Sequence, residues 1–241
     1  MKTKKYSVIK IFLCALCAFF APAVVSFSFS QNPQRILDAV GKNFSKVKDY
    51  SADANVKVDI PFLRMLPINA KIYFKQKDKF KVVSKSIAIL PKQNVNQVFS
   101  LFIDSTSYTA VMQGTEKIGT ASATIISIIP TSDTSDLVLG KFWIDTQRNV
   151  VLRSQLTTKT NGTILAEYAY GKLAEYGLPD NVTFTVDVKK FKIPKAVSAD
   201  LNNTSTETDD KAKDNKKGKI YLTLSNYAVN KGVSDAIFEK K

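Results

Sequence analysis

"YSADANVKVDI", residues 50–60, decides the fold. Ala52, Ala54, Val56, Val58 and Ile60 alternate with Ser51, Asp53, Asn55, Lys57 and Asp59. A side-chain period of two marks a strand with one buried face. Further along, Ala70, Ile72 and Phe74 alternate with Lys71, Tyr73 and Lys75. "FKVVSKS" then returns after a turn at Lys77-Asp78-Lys79. Antiparallel hairpins follow from that order. Strand patterns recur at 107–114, 120–130, 139–145, 149–159, 163–171, 181–191 and 218–230. Turn residues at Asp145–Asn149, Asn161-Gly162 and Tyr176–Asp180 separate several of them. About ten strands with little helix between them predict one antiparallel sheet that curls, one face wet and the other against a core or cavity.

Before the first strand, Asn32-Pro33 is a capping pair, and Ile36, Leu37, Val40, Phe44 and Val47 follow at helical spacing. The pattern predicts an amphipathic helix over 33–48. Val95, Val98, Phe99 and Phe102 predict a second, short helix at about 94–102. Residues 195–217, "KAVSADLNNTSTETDDKAKDNKK", have few large apolar side chains and predict a disordered hairpin tip between the last two strands. The closing "VSDAIFEKK" predicts a short turn that docks Ile237 and Phe238.

The first thirty residues read as a secretory signal. Lys2, Lys4, Lys5 and Lys10 precede the apolar run Ile11–Phe20, and "APAVVSFSFS" follows. Cys14 and Cys17 each follow a leucine, whereas a bacterial lipoprotein cysteine follows a small residue. Cleavage is placed near Ser30, leaving 31–241 as a single domain. Both cysteines then leave with the signal, so the mature chain has no disulfide and depends on its core. Losing four lysines takes the net charge from +14 to +10. A basic surface suits an anionic partner such as phospholipid or acidic polysaccharide, or solubility alone. No nucleic-acid-binding signature is present.

Catalytic chemistry has little to work with. There is no histidine, which removes imidazole acid–base work and imidazole metal sites. No Gly-x-Ser-x-Gly elbow and no glycine-rich phosphate loop occurs. The carboxylates Asp104, Glu116, Asp145, Glu167 and Glu175 fall at strand ends, on polar strand faces or in loops, and each reads better as structural. The expectation is a protein without enzymatic function, metal or cofactor.

What remains is apolar. Phe62, Leu63, Met65 and Leu66 lie in a connection broken by Pro61 and Pro67. Ile87, Ile89 and Leu90 precede Pro91, and Ile128 and Ile129 precede Pro130. Clustered apolar residues on loops suit a binding mouth, and equally a cap over the open end of a sheet.

The order of "VKDYSADANVKVDIP", "AKIYFKQKDKFKV", "ILPKQ", "FWIDTQRNVVLR", "YGLPDNVTFTVDV" and "LTLSNYAVNKGVSDAIF" resembles the LolA-like outer-membrane lipoprotein-sorting family, with its LolB and RseB-type relatives. The resemblance covers 32–240 apart from the polar insert. It implies a half-closed antiparallel β-barrel with short helices across the concave face. It also implies a periplasmic carrier of lipoprotein acyl chains or other lipids. Its partners would be an inner-membrane exporter, an outer-membrane acceptor and, transiently, the membrane surface. An RseB-like envelope-stress sensor or scaffold binding a protein partner is the alternative within the same resemblance. In well-known carriers the segment matching "YFKQKDKF" holds an Arg-Pro pair whose arginine helps latch the lid. Gln76 and Lys77 stand there instead, so the bidentate arginine latch does not carry over.

The expected cavity lining is Val56, Val58, Ile60, Ile72, Phe74, Val82, Ile87, Ile89, Met112, Ile126, Trp143, Leu152, Phe184 and Leu222 from the strands. Val40, Phe44, Val98 and Phe99 would line it from the helices, and Phe62, Leu63, Met65 and Leu66 would stand at the rim.

Overall fold

The structure, a computed structural model, describes residues 32–60, 65–76, 79–84, 105–160, 162–187 and 217–239. Those from Asn32 onward form one compact unit. Helix α1 runs Pro33–Ser45, with Pro33 at its start and the Asn32 side chain accepting from Gln34 N. Ile36, Leu37 and Phe44 are its buried apolar positions. It ends three residues before the predicted Lys48, although Val47 remains fully buried. The expected helix at 94–102 lies outside the described residues.

Ten strands follow: β1 (Asp49–Asp59), β2 (Ile68–Lys75), β3 (Lys79–Ser84), β4 (Tyr108–Ile118), β5 (Ala121–Pro130), β6 (Leu137–Asp145), β7 (Val150–Thr158), β8 (Gly162–Ala169), β9 (Asn181–Asp187) and β10 (Lys217–Val229). They form one sheet in the order β3-β2-β1-β10-β9-β8-β7-β6-β5-β4. Every neighbouring pair is antiparallel. β3 and β4 are the two edges, so the curved sheet stays open. β10 returns to pair with β1, and Lys217 of β10 stands opposite Asp187 of β9. β9 and β10 are therefore neighbours in the sheet, and Lys217, placed at the end of the polar insert from sequence, is the first residue of β10.

Register assigns the faces. One row crosses eight strands: Met112, Ile126, Phe142, Ser154, Ala166, Phe184, Ile220 and Val58. A second runs Ala110, Ile128, Gly140, Leu156, Ile164, Val186 and Gly218. A third joins Tyr168, Val182, Leu222, Val56 and Ile68. Ile36 and Leu37 of α1 pack on Ile126, Ile128, Phe142 and Ile144, which makes this the inner face. Ala54, Val56, Val58, Ile60, Ile72, Ile220 and Leu222 continue its core toward β2. Glycine in the second row has a steric purpose. A Cβ on Gly218 would approach Ile60 Cγ1 to 2.6 Å.

Trp143 and Leu152 correct the expected lining. They cluster with Ala123, Ile125 and Val150 on the outer face, opposite Phe142 and Ile126. Trp143 faces out because it alternates with the inward Phe142 and Ile144. Leu152 faces out because Trp143 pairs with Arg153 but Ile144 with Val151, which makes Leu152 the extra residue of a bulge in β7. Phe142 and Ile144, not Trp143, point inward from β6.

Candidate functional site

The inner face carries no charged side chain in any of its three registered rows. Its partners across β1, β2 and β10 are apolar because the alternation in "YSADANVKVDI" sends Asp53, Lys57 and Asp59 outward. Of the expected lining residues, Val56, Val58, Ile60, Ile72, Phe74, Ile126 and Leu222 are buried here. Val82, Met112 and Phe184 are half-buried on the same face, and Val40 half-buried on the helix. Phe44 of α1 meets Phe74 with ring centroids 5.3 Å apart, and Phe74 stacks on Tyr50 at 5.3 Å. Met65 packs on the inner cluster, while Leu66 is 86 % exposed. Phe62, Leu63, Ile87, Ile89, Val98 and Phe99 lie outside the described residues.

Several quoted motifs meet at the end of the sheet below α1. Asn230 sits at φ 56° and its Oδ1 accepts from Lys48 N at 2.7 Å, while Nδ2 donates to Lys46 O at 3.0 Å. Gly232 N donates to Asp49 Oδ1 at 2.9 Å, and Tyr227 O–H to Pro179 O at 2.8 Å. Asn43 Nδ2 donates to Arg148 O at 3.1 Å. Gln76 supplies a tie where the family resemblance lacks its arginine. Its Nε2 donates to Ser45 O at 3.0 Å and Val47 O at 3.1 Å, holding the last carbonyls of the α1 region. These bonds fix the helix over one end of the apolar face.

The ionisable groups have structural roles. Asp145 accepts from the N–H groups of Gln147 and Arg148 and from Arg148 Nε. Burial pushes its carboxyl up, but those bonds and the guanidinium outweigh it and hold it below the usual aspartate range. On the outer face Trp143 Nε1–H donates to Glu116 Oε2 at 2.6 Å, and Arg153 bridges Glu116 and Glu167. Lys141 lies 4.9 Å from the centre of the Trp143 ring. A concavity of about 720 Å³ also opens on the outer side, against the polar Asp53, Asn55, Asn69 and Ser225. Its polar lining is engaged: Asn55 donates to Asn69, and Asp53 accepts from Asn226. Among the described residues no group of three His, Cys, Asp or Glu could hold a metal ion.

A hydroxyl pair interrupts the inner face. The Ser154 and Tyr168 hydroxyls are 2.9 Å apart, and Ser154 is only 1 % exposed. Burial pushes the Tyr168 phenol up, and its bond with Ser154 partly offsets that. Neither residue stands out in the sequence, because fourteen positions separate them and only the β7–β8 register brings them together.

Comparison with solved structures identifies the architecture. A domain from Vibrio parahaemolyticus, described as outer-membrane lipoprotein-sorting, superposes with a TM-score of 0.55 at 10 % identity, covering 86 % of this chain and 97 % of the other. A DUF1329 family protein from Desulfovibrio piger gives 0.53 at 13 % identity, covering 86 % and 98 %. A LolA superfamily protein from Nitrosomonas europaea gives 0.52 at 9 % identity, covering 86 % and 97 %. The fold is LolA-like. No protein-family model matches the sequence, and no curated protein is similar to it. The LolA-like likeness thus lies in strand order and sheet shape, at identities of 13 % or less. Among the described residues no helix is long and apolar enough to cross a membrane.

Proposed function

We propose that this protein is a periplasmic carrier that binds acyl chains of lipoproteins or other lipids on its inner face and delivers them toward the outer membrane. The observation that carries the reading is the absence of charge from three cross-strand rows of a ten-stranded open sheet. Each acyl methylene moved from water onto that face contributes about 0.8 kcal/mol, so binding needs no covalent chemistry.

The other parts of the reading fit this role. Residues 1–30 are the export signal, removed near Ser30, and 31–241 is the working domain with its polar insert. The lining comprises the inward residues of β1 to β10 with Val40 and Phe44, and Ile87, Ile89, Val98 and Phe99 join it. Phe62, Leu63, Met65 and Leu66 form a rim that meets the membrane surface, and an exporter and an acceptor load and unload the carrier. The exposure of Leu66 and the burial of Ile60 on either side of the first connection support the rim. The test is lipid mass spectrometry of gently purified protein. Co-purifying acyl lipid or lipoprotein is expected; protein that is ligand-free and ignores added acyl probes refutes the reading.

A further inference from the structure

Ser154 occupies the middle of the longest inner row, with Phe142 on one side and Ala166 then Phe184 on the other. Two small, buried residues thus stand between two phenylalanines in an otherwise bulky row. Tyr168 reaches Ser154 from the same face and packs against both inner clusters, so the hydroxyl pair sits where they meet. Two hydroxyls carry two O–H donors, and their mutual bond consumes one. Neither residue has a third partner among the described residues. One O–H is therefore left unspent in a buried apolar surface, which is costly unless something accepts it.

We propose that the Ser154–Tyr168 pair is a polar anchor for the ester or amide carbonyl of the bound acyl chain. The inference rests on the lipid-carrier reading and specifies its ligand class. A carbonyl oxygen is a neutral acceptor and fits a surface whose rows hold no cation. A carboxylate there would be buried uncompensated. With strands roughly 4.8 Å apart, apolar face extends about 14 Å from Ser154 to Met112 and about 19 Å to Val58, room for an acyl chain on either side of the anchor.

The experiment uses the whole exported protein and the apolar dye N-phenyl-1-naphthylamine, displaced by methyl laurate, n-tetradecane or sodium laurate. Wild type is expected to bind the dye and to release it at about two- to tenfold lower methyl laurate than tetradecane, the worth of one neutral hydrogen bond. Tyr168→Phe and Ser154→Ala should lose that preference, read in each variant as the ratio of methyl laurate to tetradecane needed for release. Should Tyr168→Phe fail to fold, Ser154→Ala decides alone. A preference that survives in the folded variants overturns the anchor and leaves the carrier reading standing. Better displacement by laurate than by its ester overturns the neutral-carbonyl assignment. A wild type that binds no dye overturns the carrier reading and the anchor with it.

Discussion

Replacing Asn230 tests whether the "SNYAVNKG" motif is the lock that holds α1 over the inner face. The Asn230 side chain accepts from Lys48 N at 2.7 Å and donates to Lys46 O at 3.0 Å, with a weak third contact to Asp49 N at 3.5 Å. Its backbone is left-handed at φ 56°, a conformation asparagine tolerates better than alanine. Asn230→Ala removes both good bonds, at about 0.5–1.5 kcal/mol each. Solvent exposure of the site puts them at the low end. Asparagine also carries a Cβ, so the left-handed backbone adds only the few tenths of a kcal/mol by which asparagine tolerates it better than alanine. Asn230→Ala should therefore cost about 1–2 kcal/mol. Asn230→Gly loses the same bonds but accepts the backbone, so it should cost about 1 kcal/mol less than alanine. Urea denaturation of both variants against wild type reads these differences as shifts of midpoint at constant slope. Equal stabilities for glycine and alanine would refute the backbone part of the reasoning. An Asn230→Ala variant within about 0.5 kcal/mol of wild type, the usual spread for a surface change, would refute the lock.

Gly218→Ala drives a Cβ to 2.6 Å from Ile60 Cγ1 and should cost about 1–3 kcal/mol in thermal unfolding. Trp143→Ala should cost about 3–5 kcal/mol through lost packing, and Arg153→Met less than about 1 kcal/mol, because Glu116 and Glu167 are half-exposed. Trp143→Phe should leave dye binding unchanged, since the ring is on the outer face; weaker binding would return Trp143 to the lining. Asp145 titrates below the usual aspartate range when folded, so its contribution is present above the unfolded pKa and fades as pH falls through the folded one. Asp145→Asn should flatten the stability curve below about pH 4, and an unchanged acid limb would refute the assignment. Leu66→Glu should leave stability within about 0.5 kcal/mol and reduce transfer to vesicles; unchanged transfer makes the connection only a cap.

Much of this architecture was legible because strand identity is a local property. The alternation in residues 50–60 places Val56, Val58 and Ile60 on one face without knowledge of any partner, and β1 shows that face buried. Asn32-Pro33 likewise marks the start of α1 from two adjacent residues. In "LGKFWID" the same rule offers two answers, because Phe142 and Trp143 are both large and both end up buried. Nothing local ranks them, and the larger aromatic is the wrong one.

The sequence by itself determined that this chain makes an antiparallel sheet with one apolar face, because a period of two is written residue by residue. It also determined that imidazole chemistry is absent, because the chain has no histidine. Only the tertiary structure decided which side of β6 and β7 looks inward. On β6 the pairing with β5 decides it, and on β7 a bulge at Leu152 shifts the faces by one residue where Trp143 and Ile144 meet Arg153 and Val151. The same cross-strand register, not any spacing in the chain, put the Ser154 and Tyr168 hydroxyls together in the middle of an uncharged surface.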